Sequence, residues 1–283
     1  MKGAIIGDIV GSVYEWDNIK TKDFPLFSEK SFFTDDTVCT VAVGSAFLDS
    51  WEQEDGTENL YAKDYNEVFY YHVKQALYTY GNKYRGRGYG GAFKHWLHTP
   101  AMSTSGVYHS DVLHPYVSWG NGAPMRCSAA GWVTDDFRTA LALGVMTAMP
   151  THNHPEALKA AGLVAELISE ARNGLPMSDL LDRAEEFYSL PDLSYIRPTY
   201  RFDVSCMGTM PVALSAFFES TDFEDAIRNA ISVGGDSDTI ACITGSLAEA
   251  YYGVPDHLWE KAKTYLTAEL IDVVESFHEK FGD

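Results

Sequence analysis

Apolar residues recur with a helical period along most of this chain of 283 residues, and few segments alternate between apolar and polar side chains as half-buried strands do. No region offers strands that alternate with helices, which argues against a parallel-sheet fold. The chain contains neither an internal repeat nor a stretch with the composition of an interdomain linker. We therefore predict an all-α fold in a single domain that spans residues 1–283. Helices are expected over 37–48, 66–80, 137–149, 155–173, 177–188, 205–218, 223–232, 237–252 and 257–281.

Two stretches interrupt this helical pattern. Residues 84–124 are rich in glycine, serine, proline, histidine and aromatic residues, and they are too numerous for an ordinary connection. Long irregular segments in a compact domain tend to carry binding residues, so we expect ligand contacts from this stretch. Residues 189–203, which include Pro191 and Pro198, are predicted to form a surface connection.

The chain is acidic, because 21 Lys and Arg residues against 40 Asp and Glu residues give a net charge of −19. Such a chain repels phosphate backbones and anionic lipid, which argues against nonspecific binding to nucleic acids or membrane surfaces. The longest uncharged run, 204–218, is too short to span a bilayer. Asp8 interrupts the apolar start of the chain, which makes that start a poor secretion signal. The four cysteines form no C-x-x-C pair, which predicts free thiols in a reducing compartment. We expect a soluble, cytoplasmic protein and favour a monomer.

The first residues of the chain predict a helix with one face free of side chains. Gly3, Gly7 and Gly11 follow one another at intervals of four, so a second helix can approach this face closely. The same spacing continues to Glu15, and Asp8 lies within about 20° of that line around an ideal helix. Either a carboxylate emerges at the end of a buried face, or the helix is amphipathic with an exposed glutamate at its end.

Three short acidic clusters each precede an apolar helix: TDDT at 34–37, TDD at 134–136 and DSDT at 236–239. Asp and Thr are favoured helix caps, and acids in the first turn suit the helix dipole, so capping is one explanation for all three. The first and third clusters are flanked by threonine, and the third also follows Gly234 and Gly235, where a ligand can approach the backbone. Their oxygens suit Mg²⁺ or Mn²⁺ better than Zn²⁺. We interpret the second cluster as a cap.

Five motifs resemble, in order, those of the ADP-ribosylglycohydrolases, the DraG-like ADP-ribosylhydrolases. They run from residue 3 to residue 253 and so cover nearly the whole chain. The motifs are GAIIGDIVGSVYE at 3–15, FTDDT at 33–37, SWGNGAPMR at 118–126, THNHP at 151–155 and SVGGDSDTIACITGSLAEAYYG at 232–253.

The resemblance implies the family's orthogonal helical fold, which holds two Mg²⁺ (or Mn²⁺) ions. It implies Glu15 as an acid/base or water-positioning residue beside the metals, with Asp35 and Asp36 also in the catalytic set. The metal ligands implied are Thr34, Asp35, Asp36, Asp236, Asp238 and Thr239. The substrate-binding residues implied are Ser118, Trp119, Gly120, Asn121, Gly122, Met125 and His152, with Trp119 available to stack on a ring.

Two residues depart from the family pattern, because Glu249 and Pro124 each stand where a small residue is usual. The basic residues of 83–97 are candidates for holding a diphosphate or for gating the cleft, although a plain surface loop explains them equally. His154, which follows a helix end and precedes another helix, is predicted to be a cap or a surface residue.

The implied activity is hydrolysis of the glycosidic bond between ADP-ribose and an acceptor, with the side chain of an ADP-ribosylated protein (arginine or serine) as the expected acceptor. ADP-ribose and the modified protein are then the partners. Two alternatives stay open at this point. One is an inactive member of the fold that only binds ADP-ribose or has a structural role, and the other is a hydrolase of another small ADP-ribose conjugate.

Overall fold

Helices make up the regular structure of the chain. The computed structural model describes residues 1–53, 63–102 and 108–282, and within these ranges there is no strand, only two isolated β-bridges. The predicted all-α fold is therefore confirmed. The α-helices are α1 (Lys2–Gly11), α2 (Asp35–Gln53), α3 (Lys63–Lys83), α4 (Gly91–Leu97), α5 (Phe137–Ala148), α6 (Pro155–Arg172), α7 (Met177–Glu185), α8 (Leu193–Ile196), α9 (Cys206–Phe218), α10 (Phe223–Ser232), α11 (Ser237–Tyr252), α12 (Asp256–Lys263) and α13 (Ala268–Phe281).

Local capping signals fix several helix ends where the sequence predicts them. α6 starts at a proline, and His154 caps it by accepting a hydrogen bond from the backbone of Glu156, as predicted for that histidine. Asp136 caps α5 by accepting from the Thr139 backbone N–H, in line with the interpretation of the second acidic cluster. The prediction of one helix over 257–281 is wrong, because Thr267 caps a new helix and separates α12 from α13.

The antiparallel pair of α1 and α11 forms the centre of the molecule. A Cβ atom added to Gly7 would lie 2.0 Å from the carbonyl oxygen of Ala241, and one added to Gly3 would lie 2.0 Å from that of Gly245. Backbone therefore packs directly on backbone, which confirms the close approach predicted from the glycine spacing. α6, α9 and α10 surround α11 on its other sides, and its residues 237–249 are all buried.

Helix α1 ends earlier than the glycine spacing suggests. It stops at Gly11, and Glu15 lies in the turn that follows, so the expectation of a helix that reaches Glu15 is wrong. The side chain of Asn18 explains the change, because its Nδ2 donates to the carbonyl oxygens of Tyr14 at 2.6 Å and Glu15 at 2.9 Å. These carbonyls are thereby satisfied outside a helix.

The two irregular stretches contain short helices joined by loops. Within 84–124 lie α4 and a 3₁₀-turn over Ser110–Val112, while 103–107 fall outside the described residues. The stretch 189–203 contains only α8. All four cysteines are buried and free, as expected. In the described part of the chain, no helix combines the length and the apolar character that crossing a bilayer requires.

Candidate functional site

A cavity of about 360 Å³ opens where the end of α1 and the first turns of α2 and α11 meet. Its volume falls within the usual range of small-molecule sites. The lining joins carboxylates to a glycine-rich and aromatic wall. The residues that line it are Glu15, Trp16, Asp35, Asp36, Cys39, Gly88, Gly90, Gly91, Ala92, Phe93, Tyr116, Ser118, Gly120, Asn121, Gly122, Met125, Arg126, His152, Phe202, Val204, Asp236, Asp238 and Thr239.

Two overlapping groups of carboxylates lie at one end of this cavity, and all of their members except Asp8 line it. One joins Asp8, Asp36 and Asp238, and the other joins Glu15, Asp236 and Asp238. In each group, one ligand atom from every residue lies within 4.8 Å of the others. Asp238 belongs to both groups, so the two possible cation positions are adjacent. These residues can hold a metal, and an all-oxygen donor set suits a hard divalent cation.

Asp8 is the member of these groups that the sequence motifs did not single out. It is fully buried, and its carboxylate accepts hydrogen bonds from the backbone N–H and the hydroxyl of both Thr34 and Thr37. The backbone bonds place Asp8 at the N-terminus of α2, which is the electropositive end of that helix. Its position beside the glycine face of α1, within about 20° of the line that leads to Glu15, was the signal in the sequence.

One oxygen of the cluster has no hydrogen-bond partner. Asp36 Oδ1 is buried and unpaired, whereas its Oδ2 accepts from the Thr239 hydroxyl at 3.2 Å. A buried acceptor without a partner is costly, and a bound cation would satisfy it. The residues present therefore fit a divalent metal. Thr34 does not line the cavity, since its hydroxyl donates to Asp8 Oδ1 at 2.6 Å.

Burial and mutual repulsion perturb the carboxylates strongly. Burial raises the pKa of Asp36 and Asp238 well above the usual range, and neighbouring carboxylates raise it further. Burial, followed by the charge of Asp236, raises the pKa of Glu15 to about 7. Burial, followed by neighbouring charges, raises the pKa of Asp35 to about 8. Without a cation this cluster therefore holds protons near neutral pH, and a divalent cation would compete with them for the same oxygens.

Asp35 and Asp36, although adjacent in sequence, have different surroundings. Asp35 lines the cavity but belongs to neither carboxylate group. Its backbone N–H donates to the carbonyl of Arg87 at 2.7 Å, and a Cβ atom at Gly88 would lie 2.7 Å from its Oδ1. Gly88 has a φ of +101°, so only a glycine fits this approach without strain.

Asn121 lies among the predicted substrate-binding residues, and it holds a carboxylate in place. Its Nδ2 donates to Asp236 Oδ2 at 2.6 Å and to the Thr209 hydroxyl at 3.1 Å. Its backbone N–H donates to the carbonyl of Val204 at 2.8 Å, which ties the 118–122 segment to the wall of the cavity. The predicted binding segment and the carboxylate cluster are thus directly connected.

The other predicted binding residues divide into two groups. Ser118, Gly120, Gly122 and Met125 line the cavity. Trp119 does not line it, since its side chain is 53% exposed and its ring packs edge-on against His154.

His152 lines the cavity next to the 118–122 segment, since a Cβ atom added to Gly122 would lie 2.9 Å from its Nε2. Its Nδ1 lies 2.7 Å from the Thr151 hydroxyl. Burial, together with the charge of Arg126, holds the pKa of His152 well below its usual range, so the ring is neutral. Arg126 is itself buried, and it donates to the Thr147 carbonyl at 3.0 Å and to the Thr151 hydroxyl at 2.7 Å.

The basic residues of 83–97 make contacts away from the cavity. Lys83 pairs with Glu269 at 2.6 Å, and Arg87 stacks over the Phe33 ring, 3.7 Å from its centroid. None of the basic residues of 83–97 lines the cavity, and this part of its wall is formed by three glycines, Ala92 and Phe93. The structure therefore gives no support to a diphosphate site built from these cations.

Known proteins are similar to this chain in sequence and in fold. The family model described as ADP-ribosylglycohydrolase matches residues 1–283. An ADP-ribosyl-[dinitrogen reductase] glycohydrolase of Rhodospirillum rubrum is 30% identical over 140 residues, which are 48% of this chain and 47% of that protein. An uncharacterised protein of Archaeoglobus fulgidus is 28% identical over 166 residues, covering 50% of this chain and 53% of that one. The matched regions thus span about half the length of these relatives.

A solved structure titled ADP-ribosylglycohydrolase-related protein complex has the same fold. It superposes with a TM-score of 0.66 at 24% identity, over 98% of this chain and 95% of that one. With the family model matching the chain from end to end, the chain belongs to the ADP-ribosylglycohydrolase family.

Proposed function

We propose that the protein is a hydrolase that releases ADP-ribose from the side chain of an ADP-ribosylated protein, and that it works with two Mg²⁺ or Mn²⁺ ions. The observation that carries the proposal is the pair of carboxylate groups sharing Asp238 at the bottom of a ligand-sized cavity. Family membership supports an action on ADP-ribose linkages.

The ligand roles follow from the oxygens that face one another. We assign Asp36, Asp236 and Asp238 to the metals, with Thr239 as a neutral oxygen donor. Asp8 would complete the group that it forms with Asp36 and Asp238 from the buried side, away from the cavity. We keep Thr34 and Asp35 as proposed ligands, since the Thr34 hydroxyl oxygen can coordinate a cation through a lone pair while it donates its proton to Asp8. When bound, the two ions would neutralise the carboxylates, orient the hydroxyls of the distal ribose and lower the pKa of a coordinated water.

Glu15 is the proposed acid/base residue. It lies at the cavity side of the second carboxylate group and is only partly buried, so its carboxyl can meet both water and substrate. Hydrolysis requires a proton to leave the attacking water and a proton to reach the acceptor. A carboxyl in this position can make both transfers in turn.

The remaining predicted residues of the site are proposed to bind the substrate. Ser118, Gly120, Gly122 and Met125 offer backbone and side-chain surface for ADP-ribose, and neutral His152 adds a ring nitrogen that can hydrogen-bond without adding charge. Trp119 and Asn121 complete the proposed set. Trp119 would contact the ligand only from outside the cavity wall, and Asn121 would act chiefly by holding Asp236.

The proposal is tested by measuring ADP-ribose released from ADP-ribosyl-arginine and ADP-ribosyl-serine peptides with Mg²⁺, Mn²⁺ or a chelator. We expect turnover with either cation and none with the chelator. Asp36→Asn and Asp236→Asn should abolish turnover even in excess Mg²⁺, and they should weaken Mn²⁺ binding in calorimetry. Asp135→Asn is the matched control, since this exposed aspartate belongs to the acidic cluster that caps α5. Full activity with the chelator would refute the metal-dependent mechanism, and binding of ADP-ribose without release would favour an inactive binding protein.

A further inference from the structure

The side chain of His152 can reach a ligand through only one of its two ring nitrogens. Nδ1 lies 2.7 Å from the Thr151 hydroxyl, and among the described residues this is the one hydrogen bond of the ring. Nε2 lies beside the 118–122 segment, since it would be 2.9 Å from a Cβ atom at Gly122 and 3.5 Å from one at Gly120. Because both positions are glycine, neither adds a side chain over Nε2, and this nitrogen stays available to a ligand in the cavity.

What Nε2 offers to a ligand depends on which ring nitrogen carries the hydrogen. Burial, together with the charge of Arg126, holds the pKa of His152 well below its usual range, so the ring is neutral. A neutral imidazole has one N–H donor and one acceptor nitrogen. With the hydrogen on Nε2 the ring donates towards the cavity, and with the hydrogen on Nδ1 it can only accept there. The neighbours of Nδ1 determine which form is present.

Arg126 fixes the direction of the hydrogen bond between Thr151 and His152. Its Nη2 donates to the Thr151 hydroxyl oxygen at 2.7 Å, and an arginine side chain can only donate. The hydroxyl oxygen therefore accepts from Arg126, and its own hydrogen is left to donate to Nδ1 of His152. The hydroxyl of Tyr116 also hydrogen-bonds with the Thr151 side chain, and it can donate to the second lone pair of the same oxygen.

The charge of Arg126 favours the same arrangement. Its guanidinium is buried and donates to the carbonyl of Thr147, in the last turn of α5, from both Nε and Nη2. Within the described ranges of the chain, no carboxylate forms an ion pair with it. An uncompensated positive charge near Nδ1 stabilises a lone pair on that nitrogen and disfavours an N–H there. Hydrogen-bond direction and charge therefore both place the hydrogen on Nε2.

Building on the proposed function, we propose that Thr151, oriented by Arg126, is a positioning residue that holds His152 in the tautomer with its hydrogen on Nε2. The ring then donates a hydrogen bond to an acceptor oxygen of bound ADP-ribose. ADP-ribose presents phosphate and hydroxyl oxygens, so a fixed donor supports binding, whereas a lone pair at the same place leaves the ligand oxygen unpaired. Thr151 does not line the cavity, so its effect on binding acts through His152.

The experiment combines NMR of ¹⁵N-labelled histidine with ADP-ribose binding and peptide turnover. The protonated and unprotonated nitrogens of a neutral ring give separate signals, and the signals lost in His152→Gln identify His152. The wild-type protein should carry the hydrogen on Nε2. Thr151→Val removes the hydroxyl, so it should abolish the preference for this tautomer. It should also raise the Kd of ADP-ribose and the KM of the ADP-ribosylated peptides about tenfold, with little change in kcat.

Two variants control for a general loss of packing. Thr151→Ser keeps the hydroxyl and should retain both the tautomer and the wild-type Kd. Thr244→Val is the matched control, because Thr244 is also fully buried and its hydroxyl donates to the carbonyl of Ala213 at 2.9 Å, away from the cavity. In the His152→Gln background the amide nitrogen donates without help from Thr151, so adding Thr151→Val should not raise Kd further.

The outcomes separate this inference from the proposed function. A wild-type ring with its hydrogen on Nδ1, or an unchanged Kd in Thr151→Val, would overturn the inference and leave the hydrolase intact. An equal rise in Kd for Thr151→Val, Thr151→Ser and Thr244→Val would show a general structural effect and would also overturn it. Absence of both ADP-ribose binding and turnover with either cation would refute the proposed function, and with it the ligand assigned to His152. Thermal melting of each variant checks that the substitution leaves the fold unchanged.

Discussion

Replacing Gly7 with alanine tests whether backbone contact between α1 and α11 holds the molecule together. The new Cβ would lie 2.0 Å from the carbonyl oxygen of Ala241 and 2.7 Å from the backbone nitrogen of Cys242. Both atoms are backbone inside a buried helix, so no rotamer change relieves the contact. The two helices must separate to restore a normal carbon–oxygen distance.

The cost can be estimated from the two effects that oppose each other. Overpacking a tight core costs about 3 kcal/mol at the upper end of its usual range, and this contact belongs there because the obstacle is backbone. Alanine in place of a helical glycine returns about 1 kcal/mol. We therefore expect Gly7→Ala to lower the free energy of unfolding by about 2 kcal/mol.

Gly44→Ala is the matched control, because Gly44 is also buried inside a helix. Its added Cβ would lie 2.7 Å from the Sδ and Cε atoms of Met1, which are the far end of a flexible side chain, and 3.8 Å from Cδ2 of Phe277, an ordinary van der Waals distance. Urea unfolding followed by circular dichroism measures both variants. Calorimetry with Mn²⁺ should also show weaker binding for Gly7→Ala alone, since its helix carries Asp8 and the displaced helix carries Asp238. Equal stability of Gly7→Ala, Gly44→Ala and the wild type would refute the reasoning.

Three further results are expected. Folding raises the pKa of Glu15 to about 7 and that of Asp35 to about 8. Because the metal-free native state then binds more protons than the unfolded chain, its thermal midpoint should fall as pH rises from about 4 to 8. Added Mg²⁺ should therefore raise the midpoint more at pH 8 than at pH 5, and a midpoint that rises with pH in chelator would contradict this. Asn18→Ala removes the hydrogen bonds that fix the Glu15 turn to Gly235. It should lower kcat/KM in peptide turnover more than tenfold, while urea unfolding should show a loss of only about 1–2 kcal/mol of stability. Unchanged turnover would show that the turn keeps its conformation without Asn18. Glu249→Ala should lower the free energy of unfolding in urea by about 3 kcal/mol, because this buried carboxylate accepts hydrogen bonds from the first backbone N–H groups of α1. A loss under about 1 kcal/mol would contradict that role.

Local signals in the sequence were enough to predict most helices and the meeting of two of them. Pro155 and the glycines of α1 act through backbone geometry, and backbone geometry can be recognised in a short window of sequence. The acidic clusters of α2 and α11 were also recognisable, since residue type and helix position together suggest a ligand.

Other features depend on contacts between distant parts of the chain. α1 ends at Gly11 because Asn18 binds the carbonyls of the following turn, and no periodicity encodes that bond. Asp8 looks like an interruption in an apolar helix until the N-terminus of α2 is placed against it. The rings of Trp16 and Phe202, which lie in loops far apart in sequence, stack with centroids 5.2 Å apart, and only folding brings these two loops together.

The pairing of α1 with α11 also determines when the site can form during synthesis. Asp36 and Thr239, which hydrogen-bond in the cluster, are separated by 203 residues. At ribosomal speeds of about 5–20 residues per second, roughly 10–40 seconds pass between their appearances. During that time α1 has no partner for its bare glycine face, and the first acids have no partners for a cation. Docking of α11 completes the core and the carboxylate cluster together, so a chain cut short before α11 loses both.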